Sequence, residues 1–460
     1  MAAAATLPNV NEKTQTEFLA PGIRLVRLPD KLTPDQVGEN GKWLESVQQD
    51  ILRVEVTRVS SGSSQYSITL NNWFDSLLSD RKEPNEKEAK KEAEQIEKRL
   101  IIRENLDNRG RPSQPRYKYN DFKLLRFGDR LRIEMGYRSG RPSEQGFVPM
   151  IAGPITDIRF VFADAGAQLT ISGEDDLSAL KDKQKNRVEF SKHSERRMVE
   201  EILEKSKFPL NKIAKPLVAP EKFFADEKEG ISESLQKGQS YLDFLQKLAD
   251  PLDFEVFLDF DSLENPNSRQ SFHFEPCRAR RPAKTIEGIH TLVHGVNLME
   301  FTPTIKVADQ YSSVEITGKH RDRLRPEQIK ELATFSFLKD ELHFDPDLDQ
   351  PLLSGPEIRG LFFKGRLANE HSEPATNIDK PRAAWRAQSL LRKKAREFMT
   401  IEGTTIGLPK LRPGNHVEIR GMRVPFDGFY YVTKTVHTFG ADGFRTRFSA
   451  HRPGMPKPQD

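Results

Sequence analysis

Leu125-Arg126-Phe127-Gly128-Asp129-Arg130-Leu131-Arg132-Ile133 and Leu411-Arg412-Pro413-Gly414-Asn415-His416-Val417-Glu418-Ile419 lie far apart in the chain and read as one phrase. In each, Gly followed by Asp or Asn makes a turn, and the alternating apolar residues after it make a strand. Downstream the match continues at a constant offset. Ile155-Thr156 meets Val432-Thr433, Phe162 meets Phe439, Gly166 meets Gly443, and Ile171-Ser172 meets Phe448-Ser449. Upstream, Gln65-Tyr66-Ser67 before Ile68 and Leu70 matches Gln310-Tyr311-Ser312 before Val314 and Ile316. One such block is a common turn-to-strand phrase, whereas three in the same order point to an internal repeat. Gly128, Gly166, Gly414 and Gly443 are its turn glycines.

The chain has 460 residues, enough for about three domains and a substantial core. Its 28 glycines and 30 prolines suit a loop-rich β protein better than a helical bundle. With 72 basic and 68 acidic residues the net charge is only +4, which argues against binding driven by phosphate neutralisation. Cys277 is the only cysteine, so no disulfide forms within the chain and folding in a reducing cytosol is expected. Met1–Thr6 has neither a basic nor an apolar leader segment, and no run is long enough to span a membrane. Outside the cell, such a protein is expected to leave by lysis or inside a larger particle.

The expected fold is mainly β with an α+β part. Residues 1–50 read as an arm with one strand candidate, Ile23 to Leu28. Residues 51–184 form a first antiparallel β-barrel, interrupted at about 72–122 by an insertion. Within it, residues 81–103 hold six acidic and eight basic side chains, and Glu86/Lys90 and Glu94/Lys98 favour an exposed helix. Arg130, Arg132 and Glu134 alternate with Leu131, Ile133 and Met135 and are expected on the opposite face of their strand. Residues 185–285 read as a small α/β unit. Met198, Val199, Ile202 and Leu203 share a helical face there. Ser240 and Asp243 make a capping box for a helix burying Leu242, Leu245, Leu248 and Ala249. Residues 286–452 form the second barrel, interrupted at about 321–400, and 453–460 are a tail. Asp379 caps a helix in that insertion. Ala384, Ala387, Leu391, Ala395 and Phe398 form its buried stripe, and Arg382, Arg386, Arg392, Lys393, Lys394 and Arg396 its basic outer face.

Catalytic and metal patterns fail on their spacing. His290-x3-His294 brackets a strand-like Thr291-Leu292-Val293 and lacks the glutamate of a metalloprotease helix. Asp345-x-Asp347-x-Asp349 starts like a calcium loop, but Gln350 and Pro356 stand where glycine and glutamate are required. Glu174-Asp175-Asp176 sits at a strand-to-helix junction, where carboxylates cap helices. No phosphate loop or nucleophile elbow is present. The sequence therefore predicts no enzyme, cofactor or metal.

Gly407-Leu408-Pro409-x-Leu411-x-Pro413-Gly414-Asn415, Phe426-x-Gly428-x-Tyr430-Tyr431-Val432, His437 and Gly443-Phe444-x-Thr446-x-Phe448-x-x-x-Arg452 together resemble the C-terminal signature of the phage late control gene D proteins. Those are baseplate hubs of contractile tails, similar to the N-terminal part of the valine-glycine repeat spike proteins of type VI secretion. Ser240–Ala249 followed by Phe254-Glu255-Val256 resembles the middle of that family. The likeness spans roughly residues 20–452 and is most specific over 407–452, while 72–122 and 321–380 depart from it as insertions.

The resemblance implies a homotrimer. Two tube-like barrels per subunit make a ring of six, matched to a hexameric tail tube or tube-initiator protein, and the opposite face holds a trimeric spike. Only eight residues follow Arg452, so the spike is expected to be a separate protein. Baseplate wedge or LysM-type proteins are further expected partners. A membrane anchor and specific nucleic-acid binding are not expected. Assembly in the bacterial cytoplasm, as part of a phage tail or phage-like particle, follows from the same likeness. From the residues alone, a tail-associated cell-wall hydrolase and a carbohydrate-binding β-sandwich remain open alternatives. The tryptophans Trp43, Trp73 and Trp385 are too scattered to form an obvious sugar platform.

Overall fold

A computed structural model of the chain describes residues 20–28, 42–73, 117–138, 146–163, 166–206, 217–218, 231–263, 268–280, 289–319, 328–334, 352–363, 369–376, 378 and 380–456. The 81–103 charge run, the Asp345–Asp349 stretch and the Asp379 cap lie outside these residues. Period-two sequence makes the fold mainly β, and thirteen of the described strands join one continuous sheet.

In the first half of that sheet the order is Ile51–Val59, Gln65–Asn71, Gly166–Glu174, Gly146–Ala163, Arg130–Arg138, Ala20–Arg27, every pair antiparallel. The sheet wraps one core: Ile23 and Leu25 from its last strand pack in the same cluster as Val54 and Val56 from its first. The stretch read as an arm thus contributes a full strand, paired over eight residues with Arg130–Arg138.

The second half repeats the plan. Leu298–Ile305, Met399–Ile406, Gly443–Arg452, Gly428–Gly440 and His416–Arg420 run antiparallel in that order. His290–Val293 then pairs parallel with His416–Arg420, where the first module has an antiparallel strand. Phe398, Ile401, Val417, Tyr430, Val432 and Phe448 form its core.

This topology corrects one element of the repeat. Tyr311–Lys319 is not the counterpart of Gln65–Asn71. It lies in a separate three-stranded sheet between Gln328–Thr334 and Asn369–Thr376, beneath the helix Lys380–Arg396. The counterpart is Met399–Ile406, which pairs with Gly443–Arg452 as Gln65–Asn71 pairs with Gly166–Glu174. A period-two pattern states that Val314 and Ile316 are buried, which they are, but not in which sheet.

Between the modules, Ser194 and Ser240 cap the helices Glu195–Lys205 and Tyr241–Ala249, the latter through a complete Ser240–Asp243 capping box. Their apolar faces pack on Phe254–Phe260 and Gln270–Pro276. No helix among the described residues is long and apolar enough to cross a membrane.

Candidate assembly surfaces

The four turn glycines sit at equivalent places in the two modules. Gly128 and Gly414 take φ of 82° and 86°, the left-handed region that costs a side chain energy. Gly128 N–H donates to Ile155 O at 2.9 Å, and Gly414 N–H to Val432 O at 2.8 Å. The return bonds, Ile155 N–H to Asp129 O and Val432 N–H to Asn415 O, are both 2.9 Å. The Asp129 and Asn415 side chains each accept a backbone N–H three residues back, from Arg126 at 3.0 Å and from Arg412 at 2.8 Å. This explains why Asp and Asn alternate there: only an acceptor oxygen is needed.

The next strand is bulged at the same point in both modules. Register slips between Ile155 and Asp157, and between Val432 and Lys434. The bulged Thr156 and Thr433 hydroxyls donate to Ser172 O and Ser449 O. Gly166 and Gly443, with φ of 132° and 87°, close the hairpins that follow.

Past the bulge the second module pairs with the first. Lys434 through Phe439 run antiparallel to Val59 through Val54, extended by Ser60 N–H donating to Thr433 O at 2.8 Å. Val54, Val56, Arg58, Thr435 and His437 are buried along this seam. The equivalent positions elsewhere are open. Among the described residues, Asp157–Phe162 pairs only with Gly166–Glu174, and Phe301–Ile305 only with Met399–Ile406. Phe162 is 54% exposed, Met299 47%, and Val161 and Ile305 37% each, a concentration of apolar surface on two open strand edges.

A buried charge cluster locks the seam to the α/β unit. Asp259 accepts from Arg58 at 2.8 Å and from Arg412 at 2.7 Å, with Arg278 at 3.9 Å. Burial alone would raise the Asp259 carboxyl. The three guanidiniums more than reverse this and hold it far below the usual carboxylate range. Arg412 also donates to Pro149 O at 2.6 Å, so one residue of the repeat phrase ties both modules and the α/β unit together. Its counterpart Arg126 only reaches Asp129, at 3.3 Å. Nearby, His437 Nε2–H donates to Leu411 O and Nδ1 faces Thr446 Oγ1. Burial, with the charges of Arg58 and Arg412, pushes its pKa down to about 3.

Several sequence expectations change here. The strand face opposite Leu131, Ile133 and Met135, which carries Arg130, Arg132 and Glu134, is buried as well: Arg130 grips Asp176, and Arg132 pairs with Glu134 at 2.8 Å. The reason is that both faces of this strand are covered. The basic helix face is also not an outer one. Arg382 pairs with Glu195 at 3.1 Å, Arg386 with Glu373, and Lys393 with Asp250. Arg396 forks onto Asp253 at 2.6 and 2.8 Å. The buried stripe includes Ala383 in place of Ala384. Arg278, only partly buried, is stacked over Phe257 and lies beside Glu255.

Asp175 caps the turn Asp176–Leu180 through Leu177 N–H at 3.2 Å. The sequence reading named Glu255 only as part of the Phe254-Glu255-Val256 likeness, with no role, and missed Asp259. The available signal was a carboxylate at each of two positions inside the otherwise apolar run Phe254–Phe260. A cleft of about 640 Å³ between the 241–249 and 380–396 helices holds Glu195 and Glu373, both already paired with arginine.

No protein-family model and no curated protein matches the sequence. Among solved structures, the chain resembles a tail protein from Neisseria meningitidis MC58 at TM-score 0.54 and 10% identity, over 94% of this chain and 97% of that one. It resembles the 43 kDa tail protein of prophage MuSo2 from Shewanella oneidensis at TM-score 0.52 and 12% identity, over 94% and 99%. At this identity the likeness establishes a shared fold along nearly the whole length of each chain.

Proposed function

We propose that this chain is the structural hub of a contractile phage tail or a phage-like injection particle. Three copies form a ring of six like modules that joins a hexameric tail tube to a separate trimeric spike and leaves a central lumen. The observation that carries this reading is the duplication: one polypeptide holds the same turn, bulge and hairpin twice, side by side in one sheet. A threefold object offers a sixfold face only when each protomer carries the docking unit twice. The fold shared with two tail proteins supports the placement in a tail.

The work is binding rather than catalysis. The buried carboxylates described above are held by arginines or serve as caps, so they are not poised as a solvent-facing acid and base. Assembly takes place in the bacterial cytoplasm before incorporation into the particle. The test is the mass of the purified full chain, alone and with its spike partner, together with negative-stain images. The expected result is three times the chain mass and a ring with a central hole. A stable monomer at micromolar concentration under both conditions overturns the reading.

A further inference from the structure

The two open strand edges are the halves of a contact that the chain already makes once within itself. We infer that Asp157–Phe162 of one copy pairs antiparallel with Phe301–Lys306 of the next copy, repeating between chains the seam that joins Lys434–Phe439 to Val54–Val59. This inference rests on the hub reading and gives the ring its subunit interface.

The register follows from the bulges. Thr156 and Thr433 occupy one bulge position, which makes Asp157 the counterpart of Lys434 and Phe162 that of Phe439. On the other side the register slips between Ile51 and Arg53, and between Leu298 and Glu300, so Leu52 matches Met299 and Val59 matches Lys306. Transferring the internal pairing of Lys434 with Val59 and Phe439 with Val54 sets Asp157 opposite Lys306 and Phe162 opposite Phe301.

Backbone direction agrees at the Phe301–Lys306 edge. Lys306 N–H donates inward to Phe398 O at 2.7 Å, so by alternation Phe301, Pro303 and Ile305 direct their backbone groups to the open side. Ser60 N–H, which reaches Thr433 across the existing seam, shows the same alternation for Val54, Val56 and Arg58.

The side chains agree as well. One face of the inferred contact brings Ile158 to Ile305, Phe160 to Pro303 and Phe162 to Phe301, all apolar. The other face brings Asp157 to Lys306, opposite charges across adjacent strands. Phe160 and Phe162 already stack on each other at 6.1 Å, and Phe162 meets Tyr117 at 4.8 Å, so the apolar platform is preformed. Pro303 has no N–H to offer at the open edge. It weakens indiscriminate strand addition there while leaving its carbonyl to accept from the partner copy. Because the edges differ, the contact is head-to-tail and generates a ring when the rotation closes.

The test uses the full chain with two cysteines at a non-hydrogen-bonded pair, Val161→Cys with Thr302→Cys, where Cα spacing suits a disulfide. The native Cys277 is buried and does not compete. Mild oxidation is expected to link copies into a covalent trimer that reductant reverses. Either single variant, and the displaced pair Val161→Cys with Thr304→Cys, should not link. Asp157→Lys is expected to raise the concentration needed for assembly at least about tenfold, and adding Lys306→Asp to restore it. A trimeric ring that forms but fails to cross-link at 161 and 302 overturns this interface and leaves the hub reading standing. Cross-linking into dimers or open polymers without a trimeric ring supports the strand pairing and overturns the hub reading.

Discussion

At the residue scale, the repeat lets the same substitution be compared in two settings. A Cβ at Gly128 meets nothing within 4 Å, whereas one at Gly414 meets the Arg278 guanidinium carbon at 2.2 Å. Gly128→Ala should therefore cost only the left-handed backbone penalty, about 1–2 kcal/mol. Gly414→Ala should cost clearly more, because it displaces the arginine that helps hold Asp259; chemical denaturation of the two variants checks the difference. His437 makes a pH prediction. Its ring titrates near 6.5 when unfolded and is pushed down to about 3 when folded, first by burial and then by the Arg58 and Arg412 charges. The unfolded chain takes up that proton first, so the ring's stabilising contribution is complete above pH 6.5 and drains away as pH falls towards 3. His437→Gln should flatten the fall in melting temperature between pH 7 and pH 4; an unchanged slope would show that other groups govern it.

At the element scale, the C-terminal signature residues act as a unit. Arg452 is buried, lies 4.6 Å over the Tyr430 ring, and donates to Asp427 O at 2.8 Å and Pro425 O at 2.5 Å. Tyr430 OH donates to Phe426 O at 2.7 Å, and the Asp427 carboxylate accepts from Gly421 and Met422 N–H. The Gly443–Arg452 strand thereby clamps the loop before Gly428. Arg452→Ala leaves two part-buried carbonyls without their donor and removes a buried side chain, and should cost about 2–4 kcal/mol, measured by denaturant midpoint at constant slope. Ser240→Ala, which removes a helix cap only, should cost about 1 kcal/mol by the same measurement.

At the scale of the whole molecule, the seam between modules and the clamp of the basic helix onto the α/β unit are separate devices. Arg396→Ala leaves Asp253 buried without its forked partner and should loosen the α/β unit, exposing the Lys380–Arg396 surface to hydrogen exchange. It touches neither open strand edge, so the oligomeric state should be retained. Asp157→Lys should show the reverse, an unchanged melting temperature for the subunit with weakened assembly. Exchange and mass measurements on the two variants separate folding of the subunit from building of the ring.

What the sequence determined by itself is local. Gly-Asp and Gly-Asn turns, period-two strands, the Ser240 capping box and the offset from Thr156 to Thr433 are all set by neighbouring residues and are legible in order. The structure alone decided which strands share a sheet. Tyr311–Lys319 alternates as well as Met399–Ile406 does, and only packing over the 306–398 excursion puts the second, not the first, beside Gly443–Arg452. It also decided which charges are buried, since Arg130 finds Asp176, and Arg396 finds Asp253, across long stretches of chain. Backbone preference acts over a few residues, whereas the partner of a strand edge or a guanidinium is chosen by burial against whatever the folded chain brings near.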